Sequence, residues 1–439
     1  MSTPTTGSST EATPTPPPED HSEEQTKHGP SGQAALLRQI ASSPAVVGLL
    51  AVLTALILSS ILILAADSEV RYTATYLLNR PGDFLHATGS TLSEAYSSLL
   101  RGAVFDWRAT TGVRMIRPIT DTLTNATPLI IAGLGMAVAF RAGLFNIGGQ
   151  GQMILGAITA CYAGIAWNLP PVAHLLVAVV GAALGGLVWG GIAGVLKART
   201  GANEVIVTIM LNSIAAHLLS QVLSLKAFNG EGETGNRKSL TVADAAQYPS
   251  LAGDSFRLHT GFLLALLVAV AVWWLMERSR LGFQLRATGL NADAARTAGM
   301  SVPWVTSLVM MISGALCGLA ATAPVLGTQK SMDESVVGTI GFDAITVALL
   351  GRSRPLGTVL AGLLFGALRA GGTAMQAAPG THIKIVLVLQ STIVLFIAAP
   401  PLIRAIFRLP ERRESPGGTD PSPASVPAAA PAAPAAKEA

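Results

Sequence analysis

"RAGLFNIGGQGQMILGA", Arg141 to Ala157, decides how this chain is read, because it sets a polar, glycine-rich run between two apolar ones. Four glycines fall between Gly148 and Gly156, interleaved with Gln150 and Gln152 and preceded by Asn146. Such a run serves as a phosphate cradle, a helix-packing surface or the lining of a route through a membrane. No lysine follows the glycines, and the chain has no Gly-Lys dipeptide, so a Walker A phosphate loop is excluded. Packing explains the glycines but leaves the two glutamines without a purpose. Crowded glycine loosens a helix, and loosened backbone inside a membrane is tolerated beside protein or water. The stretch is therefore expected to be the bent mouth of a span, facing the inner side of a polar route.

Composition supports a membrane setting. Half of the 439 residues are apolar and 12% are charged, against about 25% charged in a soluble domain. The net charge of +4 reflects arginines in short loops, so membrane lipid is an expected partner and nucleic acid is not. Cys161 and Cys317 lie in apolar runs, where free cysteine behaves as a small hydrophobe. Their spacing offers no disulfide framework and no metal site. The first apolar run begins only at Val46, and no cleavable leader is expected. Residues 1–40, rich in Pro, Ser, Thr and Glu, and the Pro/Ala tail 409–439 are expected to be disordered and cytoplasmic.

Between these ends, residues 41–408 carry about ten apolar spans: roughly 45–66, 119–140, 147–167, 172–196, 204–225, 260–276, 304–327, 336–351, 356–372 and 385–403. Each approaches the about 20 residues that cross a bilayer. The expected fold is all-α and integral to the membrane, with broken helices where the third and eighth spans open on glycine and polar residues. Lys197, Arg199, Arg278, Arg280, Arg286, Arg296, Arg352 and Arg354 share one side of such a topology. Lysine and arginine favour the cytoplasm, so both termini are expected on the cytoplasmic side of the cell membrane. Loops 67–117 and 226–259 are then external and nearly balanced, with six arginines against five acids and four cations against four acids. Within 82–117, Leu92, Tyr96, Leu99, Ala103 and Val104 recur at helical spacing. That is a helix on the outer surface or against the bundle, or an ordinary connector.

Polar side chains inside spans need a partner or a wet cavity. One cluster is Asn146, Gln150 and Gln152. A second is "GANEVIVTIMLNS", with Asn203, Glu204, Thr208 and Asn212, and a third is "MDESVVGTIGFDAITVALLG", with Asp333, Glu334 and Asp343. Taken singly, Asn203 and Asp343 read as helix caps, Asn212 as an interhelical hydrogen bond, and Asp333 and Glu334 as solvated loop residues. Taken together, clusters at span mouths read as a polar pathway, with Asn146, Gln150, Gln152, Asn203, Glu204, Asn212 and Asp343 as its candidate lining. His174 and His217 stand alone in their spans and read as packed residues. "GAALGGLVWGGIAG" repeats glycine at four-residue spacing from Gly181 to Gly194, a surface for close helix packing. No H-E-x-x-H or G-x-S-x-G motif is present, and no catalytic constellation is found.

The polar loop 277–303 is long and rich in arginine. Its centre, "NADAARTAG", offers Asn291 as an N-cap, an alanine-rich turn of helix and then Gly299, which predicts a short helix outside the membrane. Such a helix links two spans or docks a cytoplasmic partner.

"DAARTAG", Asp293–Gly299, resembles the Glu-Ala-Ala-x-x-x-Gly coupling motif of ABC importer permeases, with Asp in place of Glu. "LTNATPLIIAGLGMAVAFRAGLFNIGGQGQMILGA" and "GANEVIVTIMLNSIAAHLL" resemble permeases of the branched-chain amino acid, ribose and nucleoside type, closest to the basic-membrane-protein-type nucleoside or simple-sugar importers. The likeness runs from about residue 45 to 408. It implies two related halves and a non-catalytic permease. It further implies a heterodimer with a second related permease, two cytoplasmic ATPase subunits that carry the ATP and Mg, and an extracellular substrate-binding lipoprotein. No cofactor or metal is implied on this chain. The loop around Asp293, Ala294, Ala295 and Gly299 would enter an ATPase cleft as a coupling helix, with Arg286 and Asn291 at its margin. Transport of a nucleoside or simple sugar by alternating access is the implied activity. The competing class is a secondary transporter or channel without an ATPase, in which Glu204 or Asp343 would be a proton- or cation-coupling carboxylate.

Overall fold

The computed structural model describes residues 44–229, 237–253, 255–376 and a few positions between 391 and 408. The expected arm 1–40, the tail 409–439 and most of the expected span 385–403 lie outside the described residues. Among the described residues every regular element is helical, apart from two isolated bridges, Lys238–Asp333 and Ser250–His259. In chain order the helices are α1 (Pro44–Ala66), α2 (Ser68–Ala74), α3 (Pro81–Ala103), α4 (Gly112–Arg141), α5 (Gly149–Ala166), α6 (Pro171–Thr200), α7 (Glu204–Leu223) and α8 (Lys226–Asn229). There follow α9 (Gly261–Arg278), α10 (Arg280–Leu290), α11 (Ala292–Thr297), α12 (Val302–Ala320), α13 (Ile340–Leu350) and α14 (Pro355–Gln376).

Six of these helices are long and apolar enough to cross a membrane: α4, α6, α7, α9, α12 with its extension to Thr328, and α14. They become seven if α1 and α2, bent by 78° at Asp67, form one span. The expectation of about ten spans is met only to that extent, for physical reasons. α13 has 11 residues, about 16 Å at 1.5 Å per residue, roughly half the hydrocarbon thickness. α5 opens on Gly-Gln-Gly-Gln, which lowers its hydropathy. These are the third and eighth expected spans. Their first turns meet inside the bundle, where Gly341 lies against the backbone of Gln150. The order long helix, polar break, shorter helix, long helix therefore occurs twice, in α4–α6 with 18 residues in the shorter helix and in α12–α14 with 11.

Burial separates core helices from lipid-facing ones. In α4 83% of the apolar window is buried and in α12 72%, whereas in α7 the share is 17%. α6 shows why a lipid-facing helix has no polar side. Val172, Leu176, Val180, Leu184 and Val188 form an exposed stripe, while Ala178, Ala182, Gly186, Gly190 and Gly194 are buried on the other face. Both faces are apolar, and size rather than polarity distinguishes them. A Cβ on Gly186 would strike the Gly314 carbonyl of α12, and one on Gly314 would strike the Gly186 carbonyl. Only glycine permits this approach.

The amphipathic segment 82–117 lies against the bundle. α3 buries Ala95, Ser98 and Ala103. Its Tyr96 hydroxyl donates to the Leu56 carbonyl of α1 at 2.9 Å. The segment 237–260 folds over the same end of the bundle. Its backbone N–H groups at Ser239, Val242 and Tyr248 donate to the carbonyls of Met332, Lys330 and Leu326 at 2.7, 2.9 and 3.0 Å.

Candidate functional site

A polar cavity of about 270 Å³ opens between α4, α14 and the irregular chain that joins α12 to α13. α4 supplies Asp121, Thr124, Asn125 and Pro128, which fall on one face because i, i+3, i+4 and i+7 align on a helix. Pro128 has no N–H, so the Thr124 carbonyl loses its usual helical donor. Opposite α4, the end of α12 passes into a π-helical turn, Ala323–Thr328, with Pro324 at its start. Such turns widen a helix and recur at functional sites. Pro324, Thr328 and Gln329 line the cavity there, and the irregular residues Ser335 to Gly338 continue its wall. Irregular backbone at this depth is tolerated where it borders water.

Two arginines complete the lining. Arg369 is the only charged residue of α14. Its Nη2 donates to Asp343 Oδ2 at 2.7 Å and to Thr339 Oγ1 at 2.8 Å, and Thr339 donates to the same carboxylate oxygen at 3.0 Å. Arg257 enters from the covering segment. Asp121 Oδ1 is buried without a hydrogen-bond partner, and the other oxygen lies 3.7 Å from Arg117. The cavity is therefore lined by a carboxylate, guanidinium donors and two amides, a set suited to a polar solute bearing O–H and N–H groups. A second, wider cavity of about 620 Å³ shares Asp121, Asn125 and Arg257 with the first and adds Arg101, Arg108, Arg114 and Arg117. It forms a cationic vestibule.

The predicted residues distribute unevenly around this site. Asn146 is fully buried, and its Nδ2 donates to Gln152 Oε1 at 3.0 Å and Ser313 Oγ at 2.8 Å. Its Oδ1 accepts from the Gly148 N–H at 2.9 Å and Gln152 Nε2 at 3.2 Å. Asn212 accepts from the Gly151 N–H at 2.8 Å and donates to the Ile147 carbonyl at 2.9 Å. These three amides close the break before α5 and stand away from the cavity lining. Asn203 caps α7, accepting from Val205 and Ile206 N–H. Glu204 is paired with Lys197 at 2.6 Å. Gln150 and Asp343 stand directly behind the wall: Gln150 Nε2 donates to the Gly338 carbonyl at 2.7 Å, and Asp343 holds Arg369. Asp333 accepts from the Ser335 N–H and hydroxyl. Hydrogen bonds from Arg237 hold the exposed Glu334 carboxyl below its usual range.

The sequence carried signals for the lining itself. "DTLTNATP" places Asp121, Thr124, Asn125 and Pro128 on one helical face, and Arg369 is a lone charge in "GLLFGALRAGG". Attention to the glycine-rich mouths passed over both. Arg257 had no such signal.

At the other end of the molecule, α11 forms with Asn291 as its N-cap, accepting from the N–H groups of Asp293 and Ala294 at 3.0 and 2.9 Å. Gly299 closes it at φ +81°, a left-handed value that favours glycine. Asp293 pairs with Arg296 at 2.9 Å. Ala294 is exposed, whereas Ala295 is packed inside the chain. Arg286 approaches Glu277 at 3.9 Å. Asp121 and Arg141 are separated by 20 residues of α4, about 30 Å, and the α10–α11 loop adjoins the Arg141 end. Cavity and loop thus occupy opposite ends of the bundle.

Comparison with known proteins places the chain in a family. Residues 119–398 match the family described as branched-chain amino acid transport system / permease component. The chain is 38% identical to the guanosine ABC transporter permease protein NupP of Bacillus subtilis, over 73% of this chain and 89% of that protein. It is 37% identical to the glucose ABC transporter permease protein TsgB13 of Haloferax volcanii, over 64% and 75% of the two chains. It is 34% identical to the nucleoside ABC transporter permease protein NupB of Lactococcus lactis, over 66% and 81%. With six or seven apolar spans in an all-helical bundle among the described residues and a family match over residues 119–398, the chain belongs to the branched-chain amino acid transport system permease family, the multi-pass membrane components of ABC importers.

Proposed function

We propose that this permease carries a nucleoside, with a simple sugar as the alternative solute, through the polar cavity between α4, the 329–339 segment and α14. The observation that carries this reading is the cavity's polar lining: the Asp121 carboxylate beside Asn125, Gln329 and two guanidinium groups. Ribose hydroxyls and base N–H groups are donors for that acceptor, and base carbonyls are acceptors for the arginines. Relatives named for guanosine, nucleosides and glucose support the solute class. At about 270 Å³ the cavity lies near the lower end of small-molecule sites, roughly 300–1,000 Å³.

Movement of the solute is alternating access. ATP is hydrolysed on separate subunits that dock on the exposed residues of α11, Asp293, Ala294 and Arg296, with Ala295 supporting them from beneath. A second related permease completes a heterodimer, and an extracellular lipoprotein delivers the solute to the arginine-rich vestibule. Both termini are cytoplasmic, and the ten-span topology is reached when α1–α2, α5, α13 and the segment 385–403 each count as a span. A secondary transporter is disfavoured, because the carboxylates it would use are already engaged: Glu204 with Lys197 at 2.6 Å and Asp343 with Arg369 at 2.7 Å.

The test is uptake of radiolabelled guanosine and glucose in cells with and without this chain. Guanosine uptake is expected to fall to background on deletion, to survive a protonophore, and to fall about tenfold with Asn125→Ala at unchanged protein level. Uptake of glucose alone would move the solute to the sugar class. Uptake that persists with an inactive ATPase and collapses with the proton gradient would sink the ABC mechanism.

A further inference from the structure

Three segments of the permease converge on one side chain far from the cavity. Arg141 ends α4, and its Nε donates to the Ser353 carbonyl in the turn between α13 and α14 at 3.2 Å. Its Nη2 lies 3.6 Å from Glu277 Oε1 at the end of α9, and the other Glu277 oxygen lies 3.9 Å from Arg286 of α10. The contact is also steric. A Cβ on Gly289, at the end of α10, would meet the Arg141 carbonyl and the backbone of Ala142. The α10–α11 loop is therefore fixed to α4 by close backbone packing and by charge at the same point.

The two elements Arg141 joins to this loop are the two that carry the cavity's charged walls. α4 bears Asp121 and Asn125 at its far end, and the turn at Ser353 connects α13, which bears Asp343, to α14, which bears Arg369. That turn is strained. Arg352 and Ser353 are consecutive residues at φ +53° and +51°, a left-handed conformation that side chains resist and that persists only where surrounding contacts impose it. Arg141 supplies one of those contacts. A side chain that holds a strained turn and bridges a docking loop to both walls is placed to pass displacement between them.

Resting on the permease reading above, we propose that Arg141 is the positioning residue through which displacement of the α10–α11 loop reaches both walls of the cavity. It touches neither solute nor ATP. Its removal is expected to uncouple hydrolysis from transport rather than to abolish either alone. A chain of contacts is not by itself evidence of coupling, so the test measures coupling directly.

The complete transporter is reconstituted in proteoliposomes, and guanosine uptake and ATP hydrolysis are measured in the same sample. Arg141→Gln is expected to keep assembly and ATP hydrolysis while guanosine moved per ATP falls about tenfold. Arg141→Lys, which keeps a cation for Glu277 and a donor for the Ser353 carbonyl, is expected to recover much of that ratio, while Arg141→Glu, which can donate to neither, lacks it. An Arg141→Gln transporter with the wild-type ratio overturns the proposal, as does a parallel fall of uptake and hydrolysis through lost assembly. If Arg141→Gln does not accumulate, Arg141→Lys and Arg141→Glu decide: a ratio kept by the lysine and lost by the glutamate supports the role, and equal ratios in the two remove it. A wild-type transporter that shows no ATP-dependent uptake of guanosine or glucose fails the permease reading instead, before any variant is compared.

Discussion

The bundle is broken twice in the same way, and the two breaks are finished differently. Before α5, residues 142–148 turn the chain among Asn146, Gln152, Ser313 and Asn212, and these three amides find partners inside the protein, with Gln150 Oε1 and Trp189 Nε1 beside them buried and unpaired. Before α13, residues 329–339 turn it beside the cavity of about 270 Å³, with Arg369 and Asp343 paired across the wall and Asp121, Asn125 and Gln329 lining the void. The residue types are alike, but what they face is not. A polar cluster whose amides bond one another is a lock, since those donors and acceptors have nothing left for a solute. One that lines a void is a site.

Asn146→Leu strikes the lock and is expected to have the largest effect. It strips partners from the Gly148 N–H, the Gln152 amide and the Ser313 hydroxyl at once. Each buried group left unpaired costs about 1–3 kcal/mol, so a loss of about 4 kcal/mol is expected, a large part of a typical folding stability of roughly 5–15 kcal/mol. Accumulation in membranes and the unfolding temperature in detergent measure it. An Asn146→Leu chain as stable as wild type would show that the amide cluster holds nothing, and the distinction between the breaks would collapse.

How far this was legible follows from where each partner lies in the chain. Asn291 and Gly299 could be read as the two ends of a short helix because capping is a local matter, decided within a few residues. The packing role of Gly186 and Gly190 was similarly readable from four-residue spacing. The fate of Asn146 was not, because its partner Ser313 lies 167 residues away, and spacing cannot state whether a buried amide will be met by another side chain or by water. Ala295 teaches the same point. Motif resemblance assigns it with Ala294 to a partner's cleft, yet only the fold reveals that one faces out and the other in. The cavity face of α4 was legible in principle, through polar residues at i, i+3 and i+4.

Arg369→Gln strikes the site, and its effects on stability and on transport should separate. Asp343 keeps the Thr339 hydroxyl but loses its cation. Both side chains are about a quarter exposed, so the cost is expected at about 1–2 kcal/mol, below the roughly 3–5 kcal/mol of a fully buried broken pair. Guanosine uptake should fall further than protein level does. Adding Asp343→Asn removes the stranded charge, and the double variant should regain stability without regaining uptake. Recovery of both would make the pair a structural tie like the amide lock, and equal loss of both would point the same way.

The last effect vanishes at neutral pH and concerns the cover of the second break. His259 is buried, stacks on Tyr248 at 5.3 Å, and lies against Gly327 in the π-helical turn. Its Nδ1 accepts from the Gly261 N–H at 3.2 Å, so the proton of the neutral ring sits on Nε2, which has no partner. Burial pushes its pKa down to about 4, against about 6.5 in an unfolded chain. Above about pH 6.5 both states are neutral and the histidine has no pH-dependent effect. Between about 6.5 and 4 the unfolded chain takes up a proton that the folded chain refuses, so stability falls as pH falls, by up to about 1.4 kcal/mol per unit. His259→Gln should remove that component, flattening the fall in unfolding temperature across this window relative to wild type, with no difference in slope above it. Identical slopes in the two proteins would mean that the cover admits water at His259, and the second break would then be open on its roofed side as well as on its cavity side.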